Sequence, residues 1–224
     1  MADGLYQITF AWPDPDWTPR VLELLAQHGA RATFFVVGAM AARHPELLAR
    51  IAAEGHAIGN HSWNHPSFPM ISPRERASQV ARCEVAIGSR STRLFRPPFG
   101  DLDWRSRLEL FRRRFKVIGW NATCLDWEVH DAEWMQRELL RQIKPGGIVL
   151  LHDQLFSFAE SDQRARDDLL VAVKGVLECA AYRFVTVPEL LELGRSQGRW
   201  WWKRSDSDWL FGLSSVGDLG FRYH

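Results

Sequence analysis

Short apolar runs alternate with amphipathic stretches along almost the whole chain. The pattern predicts strands at residues 7–10, 32–37, 57–60, 94–95, 116–121, 148–152 and 183–187. It predicts helices at residues 18–28, 45–54, 73–87, 103–115, 131–143, 164–180 and 188–193. Strands that alternate with helices pair in parallel through right-handed crossovers. We therefore expect an α/β fold, and we favour an incomplete or distorted (β/α) barrel of seven or eight units over a doubly wound open sheet.

This alternation stops near residue 195, so we expect residues 1–195 to form the barrel and residues 196–224 to form a tail. The tail contains three consecutive tryptophans, Trp200, Trp201 and Trp202, and shows no helix or strand period. We expect it to pack its aromatic side chains on the barrel. The alternative is a surface for a partner or a substrate, because clusters of exposed aromatic residues often mark binding sites.

Composition and charge exclude several classes of function. Of the 224 residues, 46% are hydrophobic and 25% are charged, which is typical of globular proteins, and a formal net charge of +1 gives no overall field that would attract nucleic acid. No stretch reaches the roughly 20 apolar residues of a membrane span, and the first residues lack the pattern of a secretion signal. We predict a cytoplasmic protein that binds neither nucleic acid nor membrane. The sequence does not indicate its oligomeric state.

Two histidines follow the predicted strand at residues 57–60. His61 and His65 are four residues apart beside a turn, so they can offer two imidazoles to one divalent ion. The alternative for such a pair is two histidines that only make structural hydrogen bonds. Functional side chains of parallel α/β folds lie at the carboxyl ends of the strands, and this position favours the metal interpretation.

Further polar residues follow other predicted strands. A stiff turn at residues 96–100 begins with Arg96, and a buried arginine usually pairs with a carboxylate or binds an anionic group. His152 ends the strand at residues 148–152, where it can serve as an acid or base with Asp126 as its orienting carboxylate. A rigid barrel corner and a structural histidine–aspartate hydrogen bond are the alternatives. All of these residues are expected at one end of one barrel.

Four segments resemble the second to fifth motifs of the polysaccharide deacetylase (NodB-homology) family, carbohydrate esterase family 4. They occur in the family's order, as HSWNH at residues 61–65, RPPFG at 96–100, Asp126-Trp127 and Leu151-His152-Asp153. The resemblance spans residues 5–193. It implies the incomplete barrel and a hydrolase that cleaves the carbon–nitrogen amide bond of an N-acetylated sugar or a related small molecule.

The resemblance also implies a role for each matching residue. His61 and His65 would bind a divalent ion, zinc before others, and His152 would protonate the leaving amine. Asp126 would tune His152, while Arg96 would position the general base. The matching apolar residues would line the substrate pocket, namely Pro97, Pro98, Phe99, Trp127 and Leu151. Trp12, which stands in a segment that departs from the family pattern, is a further candidate for substrate binding.

The first motif departs from the family pattern. The family has TFDDGP, whereas this chain has Thr9-Phe10-Ala11-Trp12-Pro13, one residue shorter. Both family aspartates, a metal ligand and the general base, are then missing. Asp14 is a substitute ligand under one interpretation, although the segment PDPDWTP matches the residues that follow the family's glycine.

Three functions are therefore open. The first is a metal-dependent N-deacetylase that is impaired by its first motif, with a carbohydrate or small molecule as its ligand. The second is a catalytically dead homologue that binds a glycan or a partner. The third is a metal-independent enzyme that uses His152 and Asp126 on a non-sugar metabolite.

Overall fold

A computed structural model describes residues 4–11, 14–153, 163–179 and 182–193. The strands in these ranges are β1 (Gly4–Ala11), β2 (Thr33–Val36), β3 (Ala57–Asn60), β4 (Ser91–Phe95), β5 (Lys116–Val117), β6 (Ala122–Thr123), β7 (Ile148–His152) and β8 (Tyr182–Phe184). The α-helices are α1 (Trp17–Gln27), α2 (Gly38–Arg43), α3 (Pro45–Ala53), α4 (Pro73–Ile87), α5 (Trp104–Arg112), α6 (Ala132–Gln142), α7 (Gln163–Leu177) and α8 (Val187–Leu193). Short 3₁₀ turns lie at Phe68–Met70, Gly88–Arg90 and Pro98–Gly100. The tail at residues 196–224 lies outside the described residues.

The strands form one parallel sheet that curls into a half-barrel, in the order β5-β4-β3-β2-β1-β7-β6, with β8 beside the first residues of β1. This confirms the expected incomplete α/β barrel. Strand β1 is central and pairs with β2, β7 and β8. The carboxyl ends of the strands therefore meet at one rim.

The predicted single strand at residues 116–121 is wrong, and the opening of the barrel explains why. Only its first two residues form a strand, β5, while β6 begins just beyond it at Ala122, and the two strands lie at opposite edges of the sheet. The amide of Ile118 donates to the carbonyl of Phe95 on one edge, and the amide of Asn121 donates to the carbonyl of Ile148 on the other. The chain thus crosses the gap that a closed barrel would fill with another strand.

Side chains alternate between two layers along the strands, as the period of two requires. One face packs against the helices and contributes Ile8, Phe10, Phe34, Val36 and Leu151 to the main hydrophobic core. The other face points into the half-barrel and carries polar residues among apolar ones, including Gln7, Thr9 and Thr33, each 0% exposed. The polar inner face leads to the rim where the candidate residues lie.

Local signals explain most helix boundaries. Helix α4 begins at Pro73 as predicted, and Ser72 and Glu75 form a capping box. Helix α2 is missing from the sequence prediction because its six residues follow β2 directly, without a separate turn signal. Among the helices described, none has the length and apolar character that crossing a membrane requires.

Gly38 is required where α2 meets α4. A Cβ atom at this position would lie 2.7 Å from the Cα of Cys83, and the Gly38 amide donates to the carbonyl of Ser62 in the loop after β3. We expect Gly38→Ala to lower the free energy of unfolding by about 1–3 kcal/mol because a backbone atom must shift. Urea denaturation measures this loss. Ser78→Ala, on the exposed face of α4, should change it by less than about 0.5 kcal/mol, and equal stability of the two variants would contradict the packing argument.

Candidate active site

The loop after β3 brings two imidazoles together. His61 is 3% exposed, and its Nδ1 lies 2.7 Å from the carbonyl oxygen of Arg96. Because only a protonated Nδ1 can donate to that carbonyl, Nε2 of His61 keeps its lone pair for a ligand. His65 packs edge to face against His61 with ring centroids 4.8 Å apart. The second motif thus forms a compact histidine pair.

Hydrogen bonds hold this loop in an uncommon backbone conformation. Ser62 and His65 have positive φ angles of 68° and 60°. The Ser62 hydroxyl accepts from the amide of His65 at 3.0 Å, and Gln79 of α4 accepts from the amides of Trp63 and Asn64 at 2.9 and 3.0 Å. Phe99 and Leu125, in the loops after β4 and β6, also have positive φ. Such angles cost free energy in residues other than glycine, and they often occur at functional sites.

Burial keeps both histidines neutral. It lowers the pKa of His61 to about 3, and the neighbouring charges of Arg96 and His152 act in the same direction. Burial, together with His61 and His152, also lowers the pKa of His65 well below its usual value. Neutral imidazole is the form that binds a metal ion.

Arg96 occupies the centre of the half-barrel and is 1% exposed. Its guanidinium donates to the Thr9 hydroxyl at 2.5 Å, to the Gly119 carbonyl at 3.0 Å and to the Ile118 carbonyl at 3.5 Å. The ring of Phe35 lies 4.3 Å from its charged carbon. Burial lowers the pKa of Arg96 to about 9. All its hydrogen-bond acceptors in the described part of the chain are neutral.

The inner face of β1 ends in an alanine, which packs against Val37, Ala39 and Met40. Ala11 is 1% exposed and lies two residues after Thr9, on the same face of the strand. It pairs in register with His152 of β7. A carboxylate at position 11 would therefore lie near both Arg96 and His152, and the alanine supplies none.

His152 is held in a network with Asp126 and Arg166. Its Nδ1 lies 3.0 Å from Asp126 Oδ1, and its backbone amide donates to Asp126 Oδ2 at 2.7 Å. Arg166 donates to Asp126 Oδ2 at 3.1 Å and to the carbonyl oxygens of Asp126 and His152. Burial alone would raise the pKa of Asp126, but the charge and hydrogen bonds of His152, together with Arg166, hold it below its usual value. With Nδ1 engaged, Nε2 is the nitrogen of His152 that can reach a substrate.

Arg166 is a site residue that the sequence analysis missed. It lies on α7, with 6% of its side chain exposed. The available signal was its spacing from Leu169, Val173 and Val176, which places a charged residue in the apolar stripe of this helix. An arginine in such a stripe needs a buried acceptor.

The structure does not bring Asp14 to the histidine pair as a third ligand. The Asp14 carboxylate accepts from the amides of Asp16 and Trp17, both at 2.8 Å, and so supports the start of α1. Within the described ranges, no three His, Cys, Asp or Glu side chains are grouped so that they could hold a metal ion. A catalytic zinc site has three protein ligands and one open position. The residues present supply two, so they do not fit such a site.

The predicted pocket residues divide into three groups. Phe99 packs against His65 with ring centroids 4.5 Å apart, and Trp127 packs against His152 with ring centroids 5.6 Å apart. Pro97 and Pro98 are buried in the turn that leads to Phe99. Leu151 does not lie at the site, because the strand alternation turns its side chain into the main core. Leu150, on the face of Thr9 and His152, is the leucine that faces the site. Trp12 lies outside the described residues.

Comparison with known proteins gives a family for this arrangement. The family model described as polysaccharide deacetylase matches residues 3–116. A peptidoglycan-N-acetylglucosamine deacetylase of Bacillus cereus is 32% identical over 183 residues, which are 80% of this chain and 84% of that protein. The chain belongs to the polysaccharide deacetylase family. Members of this family are metal-dependent hydrolases of carbon–nitrogen bonds other than peptide bonds.

Other relatives extend the comparison. The peptidoglycan-N-acetylglucosamine deacetylase PgdA of Listeria monocytogenes is 29% identical over 87% of this chain, which spans only 40% of that protein. The structure of peptidoglycan deacetylase PdaC from Bacillus subtilis has a TM-score of 0.74 and 28% identity, and covers 95% of this chain and 98% of that one. A structure of a pseudoenzyme of the same esterase family from Bacillus anthracis has a TM-score of 0.73, 24% identity and coverage of 86% and 67%, and shows the shared fold alone.

Asp153, which directly follows His152, is a further buried acidic residue near the site. It is 1% exposed and accepts a hydrogen bond from the Thr18 hydroxyl at 2.5 Å. Thr18, the second residue of α1, also accepts a hydrogen bond from the Asp14 amide. Burial raises the pKa of Asp153 well above its usual value, and Asp14 adds to this, while Thr18 and Arg166 oppose it.

We expect Asp153→Asn to stabilise the protein progressively as the pH rises. A carboxyl with a raised folded-state pKa stabilises the fold fully below its unfolded value, here near 3.8, and this contribution is lost as the pH rises through the folded value. The wild type should lose up to about 1.4 kcal/mol of unfolding free energy per pH unit across this window. Denaturant titrations from pH 4 to 8 measure the difference. Exposed Asp16→Asn is the control, and a constant difference between Asp153→Asn and wild type would reject the argument.

Proposed function

We propose that this chain hydrolyses the carbon–nitrogen amide bond of an N-acetylated sugar, at a rate limited by the loss of its general base. The observation that carries this proposal is the network of His152, Asp126 and Arg166 beside the His61–His65 pair. It supports a proton donor at this rim, and the relatives named above are deacetylases of N-acetylglucosamine in peptidoglycan. Carbohydrate is the partner that we propose, and the cytoplasmic location stays a prediction.

The acid step can be derived from the chain's own residues. The carboxylate of Asp126 accepts from Nδ1 of His152, which leaves Nε2 to carry a proton toward the leaving nitrogen. Asp126 also stabilises the imidazolium that must exist before transfer, and Arg166 fixes the carboxylate in place. Trp127 packs against the imidazole and limits its orientation. A positioned acid of this kind contributes about 10²–10⁴-fold in rate.

The groups that would activate water for attack on the acetyl carbonyl are incomplete in this chain. In the family, a divalent ion polarises the acetyl carbonyl and a carboxylate activates water. Here the described residues offer two imidazoles to an ion and Ala11 in place of a carboxylate. Zinc stays the ion that the family resemblance predicts, but two imidazoles do not complete its three-ligand site.

A binding protein without catalysis is the second candidate, and a specific observation favours it. Ala11 leaves Arg96 without a carboxylate, whereas the aromatic and proline residues of the rim are retained. Such a site keeps the surface that contacts a sugar and lacks the group that activates water.

Acetate release separates the two candidates. We expect slow acetate release from N-acetylated chito-oligosaccharides with added zinc or cobalt, abolished by His152→Ala because the leaving amine then receives no proton. A coupled acetate assay measures the rate. Binding of the oligosaccharide without acetate above background would reject the enzyme proposal and support the binding protein.

Restoring the first motif tests what limits the rate. Replacing Ala11-Trp12 by Asp-Asp-Gly should raise the rate of acetate release by about 100-fold or more, since it restores a base and a third ligand. The matched control replaces the same two residues by Asn-Asn-Gly, which has the same loop length without carboxylates and should give no gain. Equal rates for the two grafts would show that the rest of the pocket no longer supports deacetylation.

The role of Asp126 is best measured in the Asp-Asp-Gly graft, where turnover is high enough. We expect Asp126→Asn to lower kcat by about 100-fold or more with little change in KM, because an amide does not stabilise the imidazolium. The pH profile of kcat should also change, because no carboxylate then accepts from Nδ1 of His152. An unchanged profile would assign Asp126 a structural role only.

A further inference from the structure

We infer that the guanidinium of Arg96 is a binding site for a small carboxylate anion, which occupies the space that a carboxylate on residue 11 would fill. Three observations on this chain carry the inference. They are the charge balance of its buried arginines, the unused donors of Arg96, and the position of Ala11.

The buried arginines differ in their partners. The described residues contain three arginines that are 5% exposed or less, Arg76, Arg96 and Arg166. Arg76 binds both carboxylate oxygens of Glu109 at 2.9 and 2.7 Å, and Arg166 pairs with Asp126 at 3.1 Å. Arg96 is the most buried of the three and forms no ion pair within the described ranges. A buried cation without a counter-charge is strongly unfavourable, so a fold that retains one gains from an external anion.

Arg96 also has donors to spare. A guanidinium carries five N–H groups, and three of them have acceptors: the Thr9 hydroxyl and the carbonyls of Ile118 and Gly119. One hydrogen on each terminal nitrogen is left without an acceptor in the described part of the chain. Two donors on the two terminal nitrogens match the two oxygens of a carboxylate.

The short side chain of Ala11 limits the size of the anion that could bind beside Arg96. Ala11 follows Thr9 on the inner face of β1, and Thr9 itself contacts Arg96. A methyl group there occupies less space than an aspartate side chain, by about one carboxylate group. The site therefore suits formate or acetate, and the rings of Phe35 and Trp120 near the guanidinium disfavour a large hydrated anion.

Thermal unfolding of the full chain tests the inference without any enzymatic readout. In buffer that contains a metal chelator, and at constant ionic strength, 100 mM sodium formate should raise Tm by roughly 2–5 °C relative to sodium gluconate. The gluconate anion is too large for a buried site. No difference between the two salts would overturn the inference. Since this assay needs neither metal nor turnover, its outcome is independent of the deacetylase proposal.

Variants locate the anion. Ala11→Asp should raise Tm in gluconate and remove the formate effect, because the built-in carboxylate takes the site. Arg96→Met should also remove the formate effect. Arg76→Met, at a buried arginine that has its own carboxylate, should lower Tm but leave the formate effect unchanged. If Arg96→Met does not fold, isothermal titration of formate into the wild type and Ala11→Asp carries the test. A formate effect that persists in Ala11→Asp would overturn the inference.

Discussion

Arg96 is the residue on which the geometry of the rim depends. Its amide donates to the carbonyl of Asn60, its carbonyl accepts from His61, and its guanidinium reaches Thr9 on β1 and Gly119 in the segment that crosses the barrel opening. One residue thus joins the central strand, the loop after β3 that carries His61, and the open edge of the sheet. These bonds form in an interior where an unpaired polar group is costly, so they fix the positions of the elements they connect.

This central position also explains how a half-barrel can lose a carboxylate and keep its shape. Removing Asp at position 11 would take away a charge partner of Arg96, but the neutral acceptors that hold the guanidinium come from other elements. Gly59 leaves room for Phe35, whose ring supports the guanidinium from below, since a Cβ on Gly59 would lie 2.6 Å from that ring. The fold therefore tolerates the substitution, while the chemistry that depended on the charge does not.

Much of the fold and of the candidate site can be predicted from the sequence. The features that could not be predicted each have a physical reason. The alternation of strands and helices, the α4 capping box and the histidine pair depend on local pattern and were predictable. The end of β5 at Val117 and the start of β6 at Ala122 depend on where the sheet fails to close, which no local pattern records. Leu151 was assigned to the pocket because it adjoins His152, although adjacent residues of a strand point to opposite faces. Arg166 contributes from a helix about forty residues beyond Asp126, and only the tertiary structure brings them together.

The network of His152, Asp126 and Arg166 stabilises the fold as well as placing an acid at the rim. Asp126 is 0% exposed, and its carboxylate is bonded to the His152 amide and to Arg166, so this network also joins α7 to the end of β7 and to the loop after β6. Removing any member would leave a buried charge without its partner, which is destabilising whether or not the site is active. Structure alone can thus maintain the acid half of the site. The base half depends on a single position of β1, and the neutral bonds of Arg96 keep the guanidinium in place without it. A decline in activity would be expected to reach position 11 first, which is where this chain departs from its family.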